Sequence, residues 1–550
     1  MRAFLAGLLI LILLGPLAFP VGSLLLNPSA WAVWGEGDRL ASLAVSTLAL
    51  AGLSCLIAVP LGTIAAVGLE RVRVPGRRVL RGVIVLGLFV PLPVSAVAWQ
   101  IVLGSWLPPL ALEPGEVNWR PWNQGLLPAS WVHAMAGLPW VIWVVSAGLR
   151  AVDRTLEDDA ILLGGPAAVI RRAVLPRAAL AALAAAAGLA VQTATEIPVT
   201  DPMMVRTFAE EVYTRFVSGG DGVAGAVAIT VPVWLAAGFV ALLATRPAFR
   251  AFANPPAEAN PPALLSLTTG WRWTISSLLW LLVALFAVLP VAALIWKAGG
   301  GSSPAGWSPG FLLGTLKTIL AAEGRTVLGS AIAALGSGAV AVGLAWPAAI
   351  LARRSQWFAR FLFGVCVILA MTPGPLVGLG LLELIRVLVD AEAMVLQWLD
   401  LSMSFPPLRS LLYDQPSAVP AGWAAVVRFF PVAVAVIFPA VRNVPRELLD
   451  AASLDGLGPI SRWRLVDLPL TSDAAIRAVL AVAALALGEV SAGRVANPPA
   501  RAVYILRLFG QMHYGAESSV AGLCLIQLLA TSLIVGSFLL VSRRANAARL

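Results

Sequence analysis

Residues 447–471 read ELLDAASLDGLGPISRWRLVDLPLT. The stretch is polar, carries charges of both signs and closes on Leu468-Pro469, between two apolar runs long enough to cross a bilayer. Asp450 sits at the start of one or two helical turns, where the helix dipole favours an acid. Gly456 and Gly458 permit a sharp bend, and Pro459 prevents simple continuation of the helix. The expected element is a short helix lying across one membrane face between two bends. It suits a knob for a partner better than a reaction centre, because no nucleophile–base set accompanies it.

The chain around it has 550 residues, of which 59% are hydrophobic and 12% charged, with a mean hydropathy of +0.88. Soluble domains carry about 25% charged residues, so the expected fold class is an all-α polytopic membrane protein. The 49 Gly and 40 Pro are compatible with this, since transmembrane helices tolerate both. About twelve spans are expected. Six fall near 3–26, 41–69, 79–106, 127–150, 177–198 and 223–245, and six near 274–296, 325–351, 359–384, 418–441, 472–491 and 518–541. The first run could also be read as a signal peptide cut after Ala30-Trp31-Ala32, but it exceeds the usual apolar core of about 7–15 residues and is taken as a retained span.

The net charge of +10 is read as topology rather than nucleic-acid binding. The segments 70–81, ERVRVPGRRVLR, and 351–360, LARRSQWFAR, are rich in Arg, as is the tail with Arg543, Arg544 and Arg549. Residues 26–38 carry acids and no Lys or Arg. Alternating spans from a cytoplasmic N-terminus put every basic segment inside, so both termini are expected in the cytoplasm of a multi-pass membrane protein. Cys55, Cys366 and Cys524 lack a pairing pattern, and His133 and His513 stand alone, so neither a metal nor another cofactor is expected. No phosphate-binding GxxxxGK[ST] loop occurs.

The opening stretch has a copy. LEDDAILLGGPAAVIRRAVLP (156–176) aligns without gaps to LDAASLDGLGPISRWRLVDLP (449–469). The register matches Gly165, Pro166, Arg171, Leu175 and Pro176 to Gly458, Pro459, Arg464, Leu468 and Pro469, and sets the acid Glu157 against Asp450. It also carries Glu196 onto Glu489, each near the end of the next apolar run. Both copies fall between the fourth and fifth spans of a six-span half. The expected organisation is therefore two parallel repeats, 1–245 and 274–550, joined by a Pro-rich cytoplasmic linker, 246–273, that contains ANPPAEANPP.

DAASLDG followed by LVDLP resembles the EAA signature of binding-protein-dependent ABC importer permeases. Asp450, Ala451, Ala452, Gly456, Val466, Leu468 and Pro469 fall on its positions, with Asp for Glu and Val for Ile. The first copy keeps Glu157, Leu175 and Pro176, but Asp158 and Asp159 replace the alanines, and Gly164 and Gly165 arrive late. The resemblance implies that both segments are coupling helices docking on two ABC ATPase subunits, a homodimer, with the second copy dominant. It implies a periplasmic or lipid-anchored solute-binding protein as a further partner, a non-enzymatic role for this chain, and no nucleic acid. The fused two-half layout is similar to ferric iron and thiamine permeases.

Intramembrane carboxylates are costly and usually face a cavity or a partner. Glu196 and Glu489 are thus expected either to line the translocation path between the halves or to bond a Ser, Thr or Arg on a neighbouring helix. About 30 Å of helix separates each Leu-Pro proline from its glutamate, enough to approach the opposite interface. Asp201, Arg206, Glu210, Glu211 and Arg215 fall in an expected external loop, either as a docking surface or as solvated charge. An ion-coupled secondary transporter with two parallel six-helix halves is the alternative function, although that class has no reason to duplicate the polar loop.

Overall fold

The computed structural model describes residues 2–106, 122–150, 152, 154–218, 227–228, 230–231, 268–301, 303, 306–401, 406–498, 501–514 and 518–547. The described residues form helices and no strands. In chain order the principal elements are α1 (Ala3–Leu26), α2 (Gly37–Arg71), α3 (Arg77–Gly87), α4 (Leu92–Trp106), α5 (Leu126–Arg150), α6 (Arg154–Ala168), α7 (Val169–Thr195) and α8 (Phe208–Ser218). They continue with α9 (Thr269–Ala298), α10 (Pro309–Arg354), α11 (Gln356–Met371), α12 (Gly374–Trp398), α13 (Val419–Arg442), α14 (Arg446–Leu454), α15 (Pro459–Ala486), α16 (Tyr504–Met512) and α17 (Ser518–Ala547).

Among the described residues, nine helices are long and apolar enough to cross a membrane, and eleven crossings result if each of two bent pairs counts as one. The expected spans 79–106 and 359–384 are those pairs. α3 and α4 meet at 106°, as do α11 and α12. Pro91 and Pro373 precede the second leg in each, with extended ψ values of 140° and 137°. A proline lacks the N–H that would continue the first leg, so the chain turns and starts a new helix. Pro431 and Pro439 leave α13 unbroken. The expected span 223–245 lies outside the described residues except for four positions, and residues 246–267 of the linker lie outside them as well.

Wider, π-type turns recur immediately before prolines. Ile10–Leu14, Val169–Val174, Ala284–Val288 and Trp463–Asp467 precede Pro16, Pro176, Pro290 and Pro469. The wide turn relieves the clash between the pyrrolidine ring and the carbonyl one turn earlier. This gives the Leu-Pro pairs at 175–176 and 468–469 a structural meaning. Each marks the wide turn through which a polar surface segment enters a long membrane helix.

Two triplets of helices repeat one arrangement. α2, α5 and α7 pack on one another, and so do α10, α13 and α15. The opening helix of each expected half crosses to the other. Leu9 and Leu13 of α1 are buried in the cluster that holds Phe430 and Phe438 of α13, while Ala293 and Leu294 of α9 are buried with Val97 and Ile101 of α4. Trp423 donates its indole N–H to the Ile12 carbonyl (2.7 Å). Gly380 lies so close to the Pro16 backbone that a side chain there has no room.

Candidate functional site

The polar loop opened by Arg446 folds as a short helix, α14, that ends in a Schellman turn. The Leu457 N–H donates to the Ala452 carbonyl (3.0 Å) and the Gly456 N–H to the Ser453 carbonyl (3.1 Å). Gly456 takes φ +70°, the left-handed conformation that this ending needs and that a Cβ disfavours. Ala452 is the buried residue of the helix, whereas Asp450 and Ala451 face outward. Leu454 is 89% exposed and Ile460 80% exposed, so the bend between α14 and α15 presents bare apolar side chains. Leu468 is half-buried and Pro469 exposed at the start of the straight part of α15.

The first loop is built alike but offset. Its helical turns run to residue 163. Gly164 is extended (φ −178°) and Gly165 takes the left-handed turn (φ +65°). The left-handed glycine thus arrives two residues later than the alignment with Gly456 requires, and the surface helix is correspondingly longer. Leu162 is 86% and Leu163 72% exposed, matching the apolar face of the second loop. Asp158 and Asp159 are exposed, as are Leu175 and Pro176. Glu157, the counterpart of Asp450, instead turns inward to pair with Arg71, and both side chains are almost fully buried.

Two arginines pin these loops to the bundle. Arg71, at the end of α2, pairs with Glu157 and donates to the Leu149 carbonyl at the end of α5 (2.9 Å). Arg353, at the end of α10, donates to the Val441 carbonyl at the end of α13 (2.8 Å) and to Asp467 (2.8 Å), the last residue of the wide turn before Leu468-Pro469. The cation is equivalent in the two loops but the acid is not. In one it comes from the surface helix, in the other from the wide turn before Leu468-Pro469.

Within the membrane region, Glu196 and Glu489 come together on one cation. Arg428, about 14 Å from the start of α13, donates through Nη1 to Glu489 (2.8 Å) and through Nη2 to Glu196. Ser491 donates its hydroxyl to Glu196 (2.6 Å), and the backbone N–H groups of Ala492 and Gly493 donate to Glu489 (2.9 and 2.7 Å). All three charged side chains are largely buried. Gly374, at the break between α11 and α12, packs against Ser491 and Arg428 with no space for a side chain. The cluster therefore joins the end of α7, the middle of α13, the end of α15 and the bend of α12. Sequence reasoning found both glutamates and foresaw an arginine partner in general terms. It missed Arg428 itself, although a lone Arg in mid-span was the available signal.

On the side remote from the polar loops, the mixed-charge loop is tied down. Glu211 is buried between Arg39 (2.7 Å) and Arg215. Burial alone raises its carboxyl, but hydrogen bonds from Arg215 and Arg39 outweigh that and hold it below the usual carboxylate range. Asp201 pairs with His513 Nε2 (3.1 Å), and this hydrogen bond, stronger than the opposing effect of burial, raises the imidazole above its ordinary value. Arg494 stacks over Tyr213 and Phe509. No group of three or more His, Cys, Asp or Glu suited to a metal occurs among the described residues.

One relative among known proteins, the permease of a transport system, matches part of the chain, in keeping with the apolar helices of an integral membrane protein. Over 210 residues the chain is 26% identical to a trehalose transport system permease protein, SugB, of Mycobacterium tuberculosis, a match covering 36% of this chain and 71% of that one. No family profile matches the chain.

Proposed function

We propose that this chain is the transmembrane permease of an ATP-driven importer of the inner membrane, with two coupling loops, 154–176 and 446–469, that receive two ABC ATPase subunits. The observation that carries the proposal is the pair of short surface helices, each displaying bare leucines and each leading through a wide turn into a Leu-Pro helix entry. Exposed Leu454 and Ile460, and Leu162 and Leu163, are costly in water unless a partner covers them. A homodimeric ATPase fits two loops of similar form, and the six-span halves 1–245 and 274–550 with cytoplasmic termini fit the distribution of Arg. In this reading Arg71 and Arg353 transmit movement of each loop to α2 and α10. The Glu196–Arg428–Glu489 cluster is the latch between the halves, which an outward-open state must undo on one side. A solute-binding protein docks on the opposite face, near α8 and α16.

The test is co-expression with an ABC ATPase encoded in the same genome, then reconstitution with the binding protein. ATP-dependent uptake of ferric iron, thiamine or trehalose is measured as a panel, because the sequence resemblance suggests the first two and the relative's name the third. Gly456→Trp should abolish co-purification of the ATPase and uptake together. Proton- or sodium-driven uptake by this chain alone would replace the proposal with a secondary carrier.

A further inference from the structure

A cavity of about 620 Å³ opens between α3, α5 and the end of α17, at the level where α2, α5 and α17 leave the apolar region. Its apolar wall includes Ile84, Val85, Trp143 and Leu539, and its polar rim is Arg78, Arg81, Arg150 and Ser146. The volume falls within the roughly 300–1,000 Å³ of small-ligand sites. No acid lines it.

The rim is built around Glu70, whose side chain is wholly buried beneath it. Arg81 (2.8 Å), Arg150 (2.8 Å) and Arg77 (3.3 Å) all donate to that one carboxylate. Three guanidiniums share this one acid, and Arg78 adds a further cation to the cavity rim, so the rim keeps a positive excess. Glu70 fixes the orientation of Arg81 and Arg150 but leaves donors over. Arg81 Nε and Ser146 Oγ have no hydrogen-bond partner among the described residues, and Ser146 is 3% exposed. Unpaired buried donors beside fixed guanidiniums are the environment that a tetrahedral oxyanion satisfies.

We propose that Arg78, Arg81, Ser146 and Arg150 form a binding site for a phosphate-bearing ligand. The phosphate is held at the arginine rim, and any attached apolar portion lies along Val85, Trp143 and Leu539. The phosphate comes either from an anionic phospholipid headgroup or from a soluble phosphate compound.

The test uses the full chain, purified in detergent and delipidated. Native mass spectrometry scores retention of phosphatidylglycerol against phosphatidylcholine, and thermal shift scores stabilisation by inorganic phosphate. Selective retention of one phosphatidylglycerol identifies a lipid. Stabilisation by inorganic phosphate without selectivity between the lipids identifies a soluble source. In either case Arg78→Gln combined with Ser146→Ala should weaken binding about tenfold, as expected for loss of charge-assisted hydrogen bonds. Arg78 is exposed and absent from the Glu70 cluster, so Arg78→Gln alone should unfold at the parent temperature and serves as the second variant. Equal retention of both lipids with no phosphate shift, or binding unchanged in both variants, overturns the site.

Discussion

Replacing Arg428 by Gln tests the central cluster most directly. The substitution removes two charge-assisted hydrogen bonds, to Glu196 and Glu489, and leaves two carboxylates side by side in a largely buried setting. Removing one partner of a buried ion pair costs about 3–5 kcal/mol. Here the lower end applies. Glu489 keeps the N–H groups of Ala492 and Gly493, and Glu196 keeps the Ser491 hydroxyl, so an expected loss of about 3 kcal/mol remains. Arg428→Lys should recover only part of this, because a single ammonium lacks the fork that reaches both acids. Replacing Glu196 and Glu489 together by Gln is no milder, since it strands the arginine. The informative companion is the triple change of Arg428, Glu196 and Glu489 to Gln, which removes all the charge and should restore most of the stability. Unfolding is followed by titration with a denaturing detergent in mixed micelles, and transport by uptake into proteoliposomes. A latch predicts that the triple variant is stable yet transports poorly. An Arg428→Gln variant within about 1 kcal/mol of the parent would refute the clamped geometry, and normal uptake by the triple variant would reduce the cluster to a structural bond.

Other outcomes follow from the same structure. Arg71→Gln should destabilise the protein by roughly 1.5–3 kcal/mol, because it removes charge-assisted hydrogen bonds to the buried Glu157 and to the Leu149 carbonyl; hydrogen exchange in 154–163 should rise first, and unchanged exchange would count against the pinning role. Leu454→Asp should leave the unfolding midpoint unmoved, since the side chain is 89% exposed, while reducing ATPase co-purification; retained co-purification contradicts docking at this loop. Gly456→Ala should cost about 1 kcal/mol by straining a left-handed position, whereas Gly164→Ala, at an extended one, meets no such penalty and contends only with the nearby Ala168 side chain. The Asp201–His513 link should depend on pH. The folded imidazole titrates above its unfolded value, so the contribution is fully present below about pH 6.5 and is lost as pH rises through the raised folded value. His513→Gln should flatten that dependence, and an unaltered profile would place the titration elsewhere.

Much of the architecture was legible because bilayer crossing is a local property. A run of some twenty apolar residues declares itself without knowledge of its neighbours, and eleven of the twelve expected spans have a described counterpart. The two polar loops were legible for a similar reason, since Gly, Pro and acid spacing dictate bends within a few residues. In the first loop the glycines come late in the sequence, at Gly164 and Gly165, and the structure puts the left-handed turn on the second of them. The broken spans were missed because Pro91 and Pro373 break their helices while Pro431 and Pro439 do not. That difference depends on what packs around each proline.

The sequence by itself determined an all-α membrane chain, its polar loops and the two glutamates worth watching, all carried by hydropathy and short-range spacing. Only the tertiary structure decided that Glu196 and Glu489 share Arg428, that Arg71 holds the surface helix while Arg353 holds the wide turn, and that α1 and α9 exchange sides. Each of these is a contact between residues far apart in the chain. An ion pair is chosen by which side chains the packed helices bring within 3 Å of each other, and no pattern along the chain records that.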